Sequence, residues 1–318
     1  MAEINVIKYS SELQKQLFPE NSFYKKSIGE TGIADTTKTV ERPIQGSIGK
    51  ARSGEIKTLP LQVKVALDDS DSYATTLVYA EPLAVNLPSE IALSYNKRAA
   101  KQVQQAGIIN TRVADIAANN WGPTFSTNIL KTSGTSRSSN VALSSGNLEM
   151  IGNRKSVTKE DMIAVHNLLQ RMNVSSIPGM FCGLVTADFY SDLLKLSEFT
   201  DYEKTGFSSK LEQGVLGKIM GIEIGVRATE TGDTGLIYSS SFTKKGIDDS
   251  IISTDCPGNL FWHSGMTCRA EGILKTSVDE NKPEYLGATV ISSWVRFGAS
   301  WGRKDQKGVV ALLEDNAG

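Results

Sequence analysis

The chain has 318 residues, enough for one large domain or two modest ones with an ample apolar core. Its 34 Lys and Arg against 35 Asp and Glu leave a formal net charge of -1, which excludes a strongly basic face and limits any nucleic-acid contact to a weak, local one. No window approaches the roughly eighteen apolar residues of a membrane-spanning helix, and the widely spaced Cys182, Cys256 and Cys268 predict free thiols rather than a disulfide framework.

The opening MAEINVIKYS lacks the basic-then-apolar order of a secretory leader, so none is expected. Residues 10–26, SSELQKQLFPENSFYKK, carry a weak helical pattern broken by Pro19, and residues 27–55 are polar and rich in Gly and Thr. With so few apolar residues, the first 55 positions predict an arm that needs a surface to lie on. LPLQVKVAL then alternates: Leu59, Leu61, Val63, Val65 and Leu67 share one side of a strand, and Pro60, Gln62, Lys64 and Ala66 the other. The acidic DDSDS, Asp68 to Ser72, reads as a turn into YATTLVYAEPLAV, giving a long two-stranded hairpin. Two strands alone are marginal in water, so the hairpin is expected to rest on another surface.

Ser89 predicts the N-cap of a long helix with Ala92, Tyr95, Ala99, Val103 and Ala106 on one face. The pattern resumes at Ile109, Val113, Ile116 and Ala117, after a bend or interruption expected near Gly107. Residues 122–153, rich in Ser, Thr, Gly and Asn, read as a loop or as short strands within a loop. Thr158 with Asp161 predicts a capped helix burying Met162, Val165, Leu168, Leu169 and Met172. GMFCGLVT predicts a buried strand, and Thr186 opens a second helix with Phe189, Tyr190, Leu193 and Leu194 inside. In LEQGVLGKIMGIEIGV, Gly214, Gly217 and Gly221 predict a tight exit from a helix into the strand Ile222, Ile224, Val226. These parts make a compact α+β unit over about residues 155–245. The last third is β-rich: NLFWHSGMTCRAEGILKTSV and EYLGATVISSWVRFGASW meet at the turn DENKP, with Ile291, Val295, Phe297, Ala299 and Trp301 on one face of the latter. After GRKDQKG, the strand VVALL closes the chain.

No chemical constellation survives a check of its spacing. A P-loop has a glycine five residues before its Gly-Lys pair, but Glu212 stands there before Gly217 and Lys218; the dinucleotide fingerprint fails at Leu216. His166 lies among apolar neighbours and reads as a packing residue; His263 is far from it, and neither pairs with a cysteine at zinc spacing. Asp68, Asp69 and Asp71 lack the glycine and glutamate of a calcium loop. No catalytic residue, cofactor or metal is expected.

The order of parts resembles the major capsid proteins of tailed phages, whose Hong Kong 97 fold is also that of encapsulins. TKEDMIAVHNLLQRMNVSSIPGMFCGLVTADFYSDLL is similar to that family's helix, Asn-Val turn, buried strand and Leu-rich helix. GVLGKIMGIEIGV looks like its glycine turn into a strand, and WVRFGASWGRKDQKGVVALLED resembles its terminal strand, charged turn and strand. The resemblance spans residues 10–315 and departs from the family where Pro178 and Gly179 follow Ile177.

It implies an α+β capsid fold with an N-terminal arm (1–45), an extended hairpin loop (46–87), a spine helix and first part of a peripheral domain (88–154), an axial domain (155–245) and the rest of the peripheral domain (246–318). By the same resemblance, Leu59, Leu61, Val63, Val65 and Leu67 are candidate intersubunit contacts, and Gly214, Gly217 and Gly221 a candidate axial-domain turn. It also implies hexamers and pentamers of this chain in an icosahedral shell, assembled in the bacterial host cytoplasm and present in the virion. The implied partners are portal, scaffold and decoration proteins and, weakly and without sequence preference, packaged double-stranded DNA; a membrane is not among them. The alternatives are an encapsulin-like nanocompartment shell, an α+β enzyme binding an anionic ligand at the Gly214 to Gly225 turn, and a tail-tube protein, disfavoured by the long helix.

Overall fold

The run VVALL is apolar at every position, which suits a strand covered on both faces. That is where the computed structural model places it. The structure describes residues 21–30, 38–44, 68–85, 97–137, 154–196, 218–227, 229, 233–252, 254–285 and 287–316. In chain order the first elements are β1 (Ile28–Gly29), β2 (Thr39–Ile44), β3 (Asp69–Ala74), β4 (Thr76–Tyr79), β5 (Leu83–Val85), helix α1 (Lys97–Trp121) and β6 (Ile129–Lys131). There follow α2 (Lys159–Arg171), β7 (Phe181–Val185), α3 (Ala187–Lys195), β8 (Lys218–Ile219), β9 (Ile222–Val226) and β10 (Ile237–Tyr238). The last are β11 (Cys256–His263), β12 (Thr267–Glu271), β13 (Lys275–Lys282), β14 (Ala288–Trp301) and β15 (Val309–Leu313).

One mixed sheet runs β6-β15-β11-β7-β9-β8, with β10 on β11. Its strands alternate between two cores. On one face Val310 and Leu312 of β15, Phe261 of β11 and Val185 of β7 pack with Met162, Val165 and Leu169 of α2 and with Phe189 and Leu193 of α3. On the other, Val309, Ala311, Leu313, Leu260, Trp262, Cys182 and Leu184 pack against α1. Gly183 is small because a Cβ there would come within 2.9 Å of the Phe261 ring.

In the second sheet β12 and β13 follow one another along one edge of β14, with β1 outside β12, and β4 and β5 pair along the other edge. Val295, Phe297 and Ala299 of β14 and Val78 of β4 close on the same core as α1. The helix is thus held between the two sheets, which is why Ala114, Ala117 and Ala118 are small and fully covered.

Both shorter helices start as their sequences predict. Thr158 Oγ1 accepts from Asp161 N and Asp161 Oδ2 accepts from Thr158 N at 2.9 Å, a reciprocal capping box. Thr186 Oγ1 accepts from Phe189 N at 3.1 Å. Lys244 Nζ meets the carbonyls at the end of α1, Asn119 O at 3.0 Å and Gly122 O at 3.2 Å, and burial pulls its pKa down to about 8.

Four expectations are corrected. DDSDS is not a turn: Asp69–Ala74 is strand β3, paired antiparallel with β2 in the register Thr39↔Ala74 to Ile44↔Asp69. The expected second arm of the hairpin instead joins the second sheet as β4 and β5. Gly107 does not interrupt α1, whose packing between two sheets outweighs the roughly 1 kcal/mol that a mid-helix glycine costs. DENKP is not the turn before β14: Asp279 to Lys282 end β13, and the chain reverses at the short helical turn Pro283–Tyr285. The proposed start of the long helix at Ser89 lies outside the described residues.

Candidate assembly interface

The arm is partly tied to its own chain. Phe23, in a helical turn at Ser22–Lys25, sits edge-on to Trp121 at 6.2 Å, Trp262 at 6.1 Å and Tyr24 at 6.3 Å between ring centroids. Tyr24 packs on Phe297, and burial, then Glu271, pushes its pKa up to about 12. Arg269 Nη1 donates to the carbonyls of Tyr24, Lys25 and Ser27, and β1 then pairs parallel with β12. The surface on which residues 21–30 lie is therefore this chain's own core.

The two-stranded ribbon β2–β3 pairs with no other strand among the described residues. Val40, Arg42, Asp71 and Tyr73 share one of its faces by register, and that face meets the body. Val40 is buried against Ala270 and Tyr73. Arg42 Nε lies 2.8 Å from Glu30 Oε1, its Nη atoms reach the carbonyls of Gly302 and Trp301, and its guanidinium stands 5.5 Å from the Tyr73 ring centroid. Tyr73 donates to Glu30 Oε2 at 2.6 Å, and burial and then that carboxylate hold its pKa well above the ordinary tyrosine range. Nearer the far end of the ribbon, Lys304 Nζ meets Asp69 Oδ2 at 3.2 Å and Ser70 O at 3.0 Å. Gly298 in β14 allows the close seating, since a Cβ there would fall 2.8 Å from Ala74 O.

The candidate contacts Leu59, Leu61, Val63, Val65 and Leu67 lie in the stretch between β2 and β3, outside the described residues. Gly214 and Gly217 also lie outside them. Gly221 lies in a two-residue turn between β8 and β9, with φ of 49° at Met220 and 80° at Gly221, the positive pair that a tight hairpin requires. A strand, β8, thus enters that turn.

Glu30, Arg42 and Tyr73 were not singled out by the sequence. Their meeting depends on where β1 and the ribbon settle, and no spacing pattern encodes it.

Directly after β15, Glu314 joins four parts of the chain. Its carboxylate pairs with Arg137, and its Oε1 accepts from Thr186 Oγ1 and, at 3.1 Å, from Asn259 Nδ2. Arg137 Nε also donates to Asp192 at 2.6 Å. Burial opposes the Arg137 charge, but Glu314 and then Asp192 outweigh it and hold the guanidinium more firmly protonated than an ordinary arginine. His263, at the end of β11, is buried, accepts from Gly265 N and is pushed by that burial towards the neutral form. No helix among the described residues is long and apolar enough to cross a membrane.

No family model matches the chain, and no curated protein matches it. Solved structures do. It is similar to the capsid of cyanophage P-SCSP1u, with TM-score 0.65 and 14% identity over 99% of this chain and 94% of that one. It is similar to the capsid of Helicobacter pylori bacteriophage KHP30, with TM-score 0.67 and 10% identity over 98% of this chain and 95% of that one. The asymmetric unit of the cyanophage Pam1 capsid matches with TM-score 0.63 and 10% identity over 100% of both chains. The chain shares the fold of these phage capsid proteins, the α+β Hong Kong 97-type capsid fold.

Proposed function

We propose that the chain is the major capsid protein of a tailed bacteriophage, a structural protein that self-assembles into an icosahedral shell of hexamers and pentamers enclosing double-stranded DNA. The observation that carries this reading is the agreement of fold over 94% or more of both chains with solved phage capsids. The ribbon supports it, because a pair of strands outside both sheets, with little apolar area of its own on the body, is a poor feature of a monomer and a good one for meeting a neighbour. Contacts on the order of 2,000 Å² are what obligate assemblies use.

On this reading the ribbon β2–β3 with the stretch 45–67 between its strands is the extended loop, and Leu59, Leu61, Val63, Val65 and Leu67 form its contact with the next subunit. The segment 155–245 is the axial domain, where the turn at Gly221, with Gly214 and Gly217, lies near a capsomer axis. The flanking segments 88–154 and 246–318 form the peripheral domain. Assembly takes place in the host cytoplasm with portal, scaffold and decoration proteins as partners.

The double variant Val63→Asp, Val65→Asp tests the loop assignment. It is expected to keep the circular dichroism spectrum of the parent while forming no shells by negative-stain electron microscopy. Normal shells from this variant would remove the loop from the interface.

A further inference from the structure

We propose that Glu30 is a positioning residue that sets the angle at which the β2–β3 ribbon leaves the body. The proposal rests on the capsid reading for its purpose and on the geometry of the ribbon base for its substance. A two-stranded ribbon has no sheet of its own to fix its direction. Its apolar anchor is one buried valine, Val40, against Ala270, with Tyr73 beside it. A contact that small and non-directional allows the ribbon to pivot.

Directional contacts remove that freedom: the Arg42 Nη atoms reach the carbonyls of Gly302 and Trp301, Lys304 meets Asp69 and Ser70, and the Glu30 carboxylate touches both strands at once, one with each oxygen. Oε1 lies 2.8 Å from Arg42 Nε of β2, an ion pair without hydrogen-bond alignment, and Oε2 accepts from Tyr73 of β3 at 2.6 Å. Two contacts on different strands from one rigid planar group fix rotation as well as position, where a single contact fixes only a distance. Glu30 is itself fixed, because its N–H donates to Arg269 O at 2.8 Å at the end of the β1–β12 pairing. The side chains of Glu30 and Arg42 are 17% and 19% exposed, so the pair is screened less than a surface ion pair. The ribbon therefore leaves the body at one defined angle, and in a shell that angle fixes how one subunit meets the next.

The test places spin labels on Ser72→Cys in the ribbon and Gln170→Cys in α2, both exposed positions. The native thiols are buried, and burial pushes those of Cys182 and Cys268 up to about 11, so they label poorly. Pulsed electron–electron resonance is expected to give one narrow distance distribution with Glu30 present. Glu30→Ala is expected to lose it while the near-ultraviolet circular dichroism of the buried tryptophans stays unchanged. Tyr73→Phe, which releases one oxygen only, is expected to fall between. An unchanged distribution in Glu30→Ala overturns the proposal, as does a broad distribution in the parent. If the parent forms no shells but Glu30→Ala still broadens the distribution, the capsid reading fails and the positioning role stands.

Discussion

Replacing Glu314 by alanine is expected to cost about 3 kcal/mol of folding stability, the low end of the range for breaking a buried ion pair. Glu314 is only 2% exposed and follows β15 directly, so the lost carboxylate cannot be replaced by water without opening the end of the central sheet. Its removal leaves Asn259 Nδ2 and the Thr186 hydroxyl without their shared acceptor. Arg137 keeps Asp192, which is why the expected loss is not larger. Glu314→Gln keeps one oxygen as acceptor for both donors but puts an amide donor where Oε2 met Arg137 Nη1, so a loss smaller than that of alanine, though more than half of it, is expected. Urea unfolding measures both variants: midpoints that fall in the order parent, Gln, Ala support the network, and an Ala variant within 1 kcal/mol of the parent contradicts it.

The second large effect is expected at Phe23. Truncation to alanine removes a ring enclosed by Tyr24, Trp121 and Trp262, a loss of about 3–5 kcal/mol for a buried phenylalanine. The cavity would open between the two sheets, at the point where α1, β11 and the arm meet. Residues 21–30 would lose their main anchor, so trypsin cleavage at Lys25 and Lys26 is expected to accelerate with the fall in stability. A change below 1 kcal/mol with unaltered cleavage would show that Arg269 and the β1–β12 pairing hold the arm without the ring.

The elements legible in the sequence were those specified by near neighbours in the chain. Thr158 with Asp161, and Thr186, announce their helices because a cap is satisfied within three residues. VVALL and FCGLV announce buried strands because both faces are covered. The readings that failed depended on distant partners. DDSDS has the composition of a turn, yet β3 exists because β2 supplies its backbone hydrogen bonds and Lys304, 235 residues on, meets Asp69. Phe23 and Tyr24 sit in a polar stretch that looked coreless, and their pockets are made by residues nearly a hundred or more positions away. The ribbon-base cluster was invisible for the same reason. Glu30, Arg42 and Tyr73 are common residue types in an unremarkable order, and only the fold gives them a shared purpose.

Whether the chain builds a shell is decided by electron microscopy and sedimentation velocity on the full chain, expressed alone and with a scaffold partner. Capsomers or closed shells in at least one of these preparations are the expected result. A folded protein that sediments as a monomer in both, at concentrations up to the millimolar range, would contradict the assignment as a shell protein.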